Sequence, residues 1–140
     1  MTAEEAIHRI EQRLSEMAQV LGEPVFDEWI LTHRKPEGWE VLHYAGPRRA
    51  TFSESFKKDV AALRGTLAPG NARPGDFAFS HQGYGSGFDA FICAGEQFFA
   101  LFNNTRKNTD EITEDPKWKQ AQVHFMELAE TFITNPLREG

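Results

Sequence analysis

Histidine is the residue type in this sequence with the clearest capacity for metal or acid–base chemistry. The five histidines are His8, His33, His43, His81 and His124. No two of them have the sequence spacing of a ligand pair, and no cysteine cluster accompanies them. His33 and His43 could face each other across a hairpin as two ligands, but a catalytic metal needs a third. We therefore predict ordinary surface or half-buried histidines, and no metal or cofactor.

The other candidates for catalysis are a cysteine and two adjacent carboxylates. Cys93 lies between Ile92 and Ala94 in an apolar segment, where a thiol is usually buried and inert. Asp27 and Glu28 are neighbours at the start of a predicted strand, so their side chains point to opposite faces and cannot act as a pair. No Gly-x-Ser-x-Gly sequence is present. We predict no catalytic residue and a protein that is not an enzyme.

A glycine-rich segment, Gly83-Tyr84-Gly85-Ser86-Gly87, has the composition of a phosphate-binding loop. It lacks a following Lys-Ser/Thr pair and leads into a strand, whereas phosphate loops lead into a helix. We interpret it as a strand connection. The alternative is a small-ligand sensor or small enzyme that uses this turn together with the aromatic side chains of Trp29, Trp39 and Tyr84.

The composition bounds the class of protein. The 140 residues fit one domain, and 40% of them are hydrophobic, including 12 phenylalanines that need a core. The net charge of −6 argues against a nucleic-acid partner. A single cysteine allows no internal disulfide, no secretory signal is recognisable, and no run approaches the roughly 18 apolar residues of a membrane span. We predict one domain over residues 1–140, located in the cytoplasm and not in a membrane.

Apolar periodicity and turn residues predict eight elements that must position any site. Helices are predicted over 4–21, about 51–65 and about 115–134, and strands over 26–34, 39–45, 76–82, 88–94 and 97–103. Thr51 and Glu54 have capping-box spacing, and Asp115-Pro116 is a typical helix start. The order α-β-β-α-β-β-β-α predicts an α+β domain with a five-stranded antiparallel sheet and three helices.

The last two strands differ from those of a sheet with one wet face. Both Phe88–Ala94 and Gln97–Asn103 place apolar side chains on each side, whereas a half-exposed antiparallel strand alternates. We therefore expect these strands at the centre of the sheet. The second face would be covered either by a helix of the same chain or by a second copy.

Basic side chains concentrate in the middle of an acidic chain. Between residues 34 and 73 there are eight basic and four acidic side chains. A solvated surface is the usual explanation of such a segment, and a docking site for an acidic partner is the alternative. Arg48 and Arg49 precede a predicted helix, where a positive charge opposes the helix dipole, so helix stability does not account for them. This favours the docking interpretation, with Lys57 and Lys58 on the same helix.

The element order resembles that of the roadblock/LC7 group within the profilin-like architecture. Residues 38–46 are similar to the second strand of that group and residues 88–102 to its closing hairpin. The resemblance implies a small homodimeric scaffold that docks onto a protein partner, such as a small GTPase, with no catalytic residues. It also implies dimerisation through the middle helix, where Ala61 and Ala62 would permit close approach. The partner-binding residues predicted in this way are Arg48, Arg49, Lys57, Lys58, Ala61 and Tyr84.

A secretion-chaperone-like protein is the alternative within the same size class. Such chaperones are also acidic, dimeric α/β domains. Their sheet usually has three strands before the middle helix, whereas this sequence predicts two. The strand count therefore favours the roadblock-like interpretation.

Overall fold

A computed structural model describes residues 1–47, 75, 77–79 and 88–138 of the chain. Its helices are α1 (Ala3–Leu21), α2 (Thr109–Thr113) and α3 (Trp118–Thr134). Its strands are β1 (Glu28–Lys35), β2 (Gly38–Ala45), β3 (Phe77–Phe79), β4 (Phe88–Gly95) and β5 (Phe98–Asn104). The predicted helix over 51–65 and the glycine-rich turn over 83–87 lie outside the described residues. None of the described helices is long and apolar enough to cross a membrane.

Helix α1 forms where the apolar periodicity predicted it. The Thr2 side chain accepts a hydrogen bond from the backbone N–H of Glu5, which satisfies one of the donors left over at the helix start. Gly22 ends the helix with φ +81, a left-handed conformation that glycine adopts without steric cost. Ile10 and Met17 of the predicted apolar stripe are fully buried, so this stripe faces the core.

The sheet is antiparallel throughout, with five strands in the order β2-β1-β5-β4-β3. Two strands precede residue 47, as the sequence predicted, and they form a hairpin closed by Pro36 and Glu37. The mixed α+β architecture is confirmed. Strand β3 has three residues, fewer than the predicted span of 76–82, of which 76 and 80–82 lie outside the described residues.

The expectation that the last two strands lie at the centre and are buried on both faces is confirmed. Strand β5 is the middle strand of the sheet, and every one of its residues is buried. One face packs against α1 and α3 through a cluster that includes Trp29, Phe102 and Phe125. The opposite face carries the buried side chains of Ile30, Cys93, Phe99 and Leu101. These four side chains are at most 5% exposed within a single copy of the chain.

The predicted start of the C-terminal helix is wrong by about three residues. The Asp115 side chain accepts from the backbone N–H of Lys117, and its carbonyl accepts from that of Trp118. Residues 115–117 therefore form a turn, and α3 begins at Trp118. Between residues 104 and 114, where no helix was predicted, the structure has the short helix α2. Asn108 caps that helix through a 2.9 Å hydrogen bond from the Glu111 N–H.

Ion pairs join α1 to α3 along one side. The Arg13 guanidinium lies 2.9 Å from the carboxylates of both Glu16 and Glu127. His124 Nδ1 lies 3.0 Å from the Glu16 carboxylate. These contacts fix the rotation of α3 about its axis, because they place the side that bears His124 and Glu127 against α1.

Replacing Arg13 by methionine is expected to lower the free energy of unfolding by about 0.5–1 kcal/mol at low salt. The effect is small because both pairs are partly exposed, with 30% of the Arg13 side chain and 46% of the Glu127 side chain accessible to solvent. Urea denaturation at low and high salt measures it, and most of the loss should disappear at high salt. Arg9→Met on the same helix is the control, and an equal loss there would contradict the assignment.

Candidate functional site

The six partner-binding residues predicted from the sequence lie outside the described part of the structure. They are Arg48, Arg49, Lys57, Lys58, Ala61 and Tyr84. The proposed acidic-partner surface on the middle helix therefore stays a prediction. The described residues offer two other surfaces: a groove at the hairpin end of the sheet and the outer side of α3.

The two hairpin histidines do not face each other. The register that starts at the turn places His33 opposite Glu40, and beyond a bulge between Leu31 and Thr32 it places His43 opposite Leu31. The His33 ring stacks on Phe98 at 4.5 Å, and the His43 ring packs on Trp29 at 4.9 Å. Among the described residues, no three His, Cys, Asp or Glu side chains are grouped so that they could hold a metal ion. In this structure both histidines pack against aromatic rings.

Cys93 is 1% exposed on the face of the sheet opposite α1 and α3, so the predicted burial of this thiol is confirmed. Asp27 and Glu28 are also separated as predicted. Asp27 accepts hydrogen bonds from the backbone and hydroxyl of Thr105, whereas Glu28 is fully buried and accepts from the Tyr44 hydroxyl at 2.8 Å. The two adjacent carboxylates therefore have different partners and do not form a pair.

The groove at the hairpin end has a volume of about 720 Å³ and is open to solvent. Its walls include apolar and aromatic side chains as well as charged ones: His33, Leu42, Phe98, Lys35, Glu40 and Arg138. The Lys35 ammonium lies 2.5 Å from the Glu40 carboxylate, and the hydrogen bond from it lowers the pKa of that carboxyl. A partly apolar surface with charged groups around it suits a small organic molecule better than a metal ion.

The outer side of α3 exposes large apolar side chains. Val123 is 45% exposed, Met126 47% and Ile133 59%. Helix geometry places them on one side with the exposed residues Lys119 and Glu130. These five residues, called here the α3 outer stripe, lie away from the side that Glu127 and His124 turn towards α1.

The orientation of α3 explains why this stripe is exposed. The predicted apolar stripe of the helix is buried in the core: Trp118, Ala121, Phe125, Leu128, Ala129 and Phe132. Ile133 lies over Gly75, where a side-chain carbon on the glycine would come within 2.0 Å of it. The helix is therefore held on its core side, along α1 and, through Ile133 at the end of the stripe, against Gly75, while about half of the surface of each of the three apolar side chains stays in solvent.

The spacing of the outer stripe is typical of a helix that packs against another helix. Successive members are separated by four, three, four and three residues, which is the spacing of the contact positions in a coiled coil. Single exposed apolar side chains are common on protein surfaces, but here Val123 and Met126 are neighbours on one side of one helix, with Ile133 two turns further along. The apolar periodicity of the sequence predicted only the buried stripe. The spacing of Val123, Met126 and Ile133 is a second apolar spacing in the same helix.

Comparison with known proteins gives a structural likeness but no match in sequence. No protein-family model and no curated protein matches the chain. Among solved structures, it is similar to Myxococcus xanthus MglB, a roadblock/LC7-family protein. The alignment covers 95% of this chain and 96% of MglB, with 16% identity and a TM-score of 0.45. Function is therefore inferred from the side chains of this chain.

Proposed function

We propose that the chain is a non-enzymatic regulatory or scaffold protein that acts through protein–protein contacts as a homodimer. The observation that carries the proposal is the α3 outer stripe. Each of its three large apolar side chains keeps about half of its surface in water, which is unfavourable by roughly 25 cal/mol per Å² of apolar area. A second protein surface on the stripe would remove that area from water.

The way in which α3 is fixed supports recognition by a rigid surface. Its core side is anchored by fully buried rings such as Phe125 and Phe132, and its α1 side by the Arg13–Glu127 ion pair. A surface held in this way loses little conformational freedom on binding. The spacing of the stripe fits an amphipathic helix as its binding partner.

The experiment is capture of binding proteins from native cell extract with three forms of the chain as bait. The wild-type chain is compared with Val123→Ser/Met126→Ser and with a control, Gln120→Ser, which changes an exposed residue elsewhere on α3. The proposal expects proteins that are retained by the wild type and the control and lost with the double variant. Equal capture by all three baits, with equal melting temperatures, would contradict a role for the stripe.

A small GTPase is the particular partner that we propose, with the basic residues of the middle segment as a second contact. Charge reversal of both Arg48 and Arg49 is expected to weaken partner binding about tenfold or more, because two charge pairs with an acidic surface become repulsive. The melting temperature should change little. Titration calorimetry against the captured partner and a thermal melt measure the two effects. A sharp fall in melting temperature would instead show that the arginines are structural.

A ligand sensor is the second candidate function, and the groove at the hairpin end is what favours it. The groove combines the stacked rings of His33 and Phe98 with the charged side chains of Lys35, Glu40 and Arg138. A thermal-shift screen of small organic acids and amines tests this candidate. A shift that Arg138→Ala abolishes would support it, and a screen with no shift would remove it.

A further inference from the structure

We propose that the α3 outer stripe is a self-association surface, on which α3 of a second copy packs antiparallel about a two-fold axis. In this contact Val123 of each copy lies against Met126 of the other, and Lys119 lies against Glu130. The inference rests on the proposed homodimer and names one of its contacts.

The spacing of the stripe determines which residues meet. In an antiparallel pair of helices, the contact positions of one helix alternate with those of the other, so residues equally far from the axis lie opposite one another. With the axis beside the bond between residues 124 and 125, Val123 lies opposite Met126 of the second copy. Lys119 then lies opposite Glu130. The two central apolar members of the stripe thus meet each other, whereas Ile133 lies beyond the helix start of the second copy at Trp118.

Charge selects this arrangement over the alternatives. Glu130 has Met126, Glu127, Ile133 and Thr134 as its neighbours one turn away, so its own helix offers it no cation. Within the described part of the chain, neither Glu130 nor Lys119 forms an ion pair. A parallel two-fold pair would set Glu130 against Glu130 and Lys119 against Lys119. In the antiparallel pair, Lys119 of each copy lies against Glu130 of the other, so the contact has two ion pairs.

The size of the stripe predicts the strength of the contact. A stable interface buries roughly 800 Å² on each partner, which is more than five side chains on one helix provide. Self-association through α3 alone is therefore expected to be weak and concentration-dependent. The ion pairs lie at the two ends of the contact, where water reaches them, so they determine the register and contribute little affinity.

Cysteine cross-linking of the full chain tests the arrangement. Equimolar Val123→Cys and Met126→Cys chains are mixed and oxidised at high micromolar concentration. We expect the yield of mixed disulfide dimer to be well above the yield obtained when a Gln120→Cys chain replaces either partner. Gln120 is exposed elsewhere on α3. The native Cys93 is 1% exposed and adds no background. Cross-linking no higher than in the Gln120→Cys control would overturn the proposal.

A charge swap gives a second, independent result. Lys119→Glu and Glu130→Lys are each expected to weaken self-association about tenfold, because both ion pairs become repulsive. The double variant should restore it, and Arg9→Glu, which makes the same change in charge on α1, should leave it unchanged. Sedimentation velocity compares these four variants with the wild type. A wild-type dimer that neither cross-links nor responds to the swap would overturn the α3 contact and leave the proposed homodimer standing, whereas a monomeric wild type would overturn both.

Discussion

Replacing Phe125 by alanine is expected to lower the free energy of unfolding by about 3–5 kcal/mol. Phe125 is fully buried where α3 meets the sheet. Its ring lies edge-on to Phe102 at 5.3 Å and contacts Phe26 at 5.9 Å. Truncation would leave a cavity between rings that neighbouring elements hold in place, so little relaxation is available to refill it. Since a domain of this size is stable by roughly 5–15 kcal/mol, the variant loses much of its stability.

Met126→Ala is the matched control for this prediction. Met126 follows Phe125 in the sequence but is 47% exposed on the outer stripe, so its truncation should change stability by no more than about 0.5 kcal/mol. Urea denaturation monitored by circular dichroism measures both variants. Similar losses for the two residues would contradict the orientation of α3 on which the outer stripe depends.

The second large effect is expected at a row of buried polar side chains across three strands. Asn103 on β5 lies opposite Glu28 on β1 and opposite Asp89 on β4. The three side chains are 7%, 0% and 9% exposed, in that order. The Asn103 amide donates a hydrogen bond to the Asp89 carboxylate, and the Tyr44 hydroxyl donates one to Glu28. Buried carboxylates of this kind depend on donors from the protein, because water reaches them poorly.

Replacing Asn103 by leucine is expected to cost about 2–4 kcal/mol, because it removes a donor from a carboxylate that stays buried. Leucine has the same number and branching of side-chain heavy atoms as asparagine, although its methyl groups are bulkier, so most of the loss would come from the missing hydrogen bond. Chemical denaturation measures it, with Gln120→Leu on the exposed side of α3 as the control. A loss under about 0.5 kcal/mol, the range of ordinary surface substitutions, would show that the row does not depend on this amide.

Patterns that repeat along the chain predicted most of the described fold. The stripe of α1 and its end at Gly22 follow from local chemistry that the segment carries by itself, whereas the cap at Thr2 was not predicted. Strands β4 and β5 carry apolar side chains on both sides, which predicted an interior position in the sheet because such a strand must be covered on both sides. The antiparallel hairpins follow from short connections.

Features that depend on contacts between distant segments were not predictable in this way. The bulge between Leu31 and Thr32 places His43 opposite Leu31, and nothing in either strand alone reveals it. The buried row of Glu28, Asn103 and Asp89 consists of polar residues that look solvated in the sequence and become neighbours only when β5 lies between β1 and β4. Helix α3 starts later than predicted because the Asp115 side chain accepts from the backbone N–H of Lys117 and so closes a turn instead of capping the helix.

The outer stripe lies between these two cases. Its spacing is visible in the sequence, but α3 carries two apolar periodicities, and the sequence does not show which one faces the core. The larger rings of Phe125 and Phe132 bury more area than Val123 and Met126, and the core takes the side that buries more. The smaller stripe is then left for a partner. That link between core packing and surface is the physical basis of the proposed function.

Light scattering on the wild-type chain at micromolar concentration tests the central claim most directly, since a scaffold that acts as a homodimer must associate with itself. We expect a mass twice that of the 15.9 kDa chain, which falls towards the single-chain mass on dilution. A single-chain mass throughout the micromolar range would contradict the homodimer and, with it, the roadblock-like scaffold.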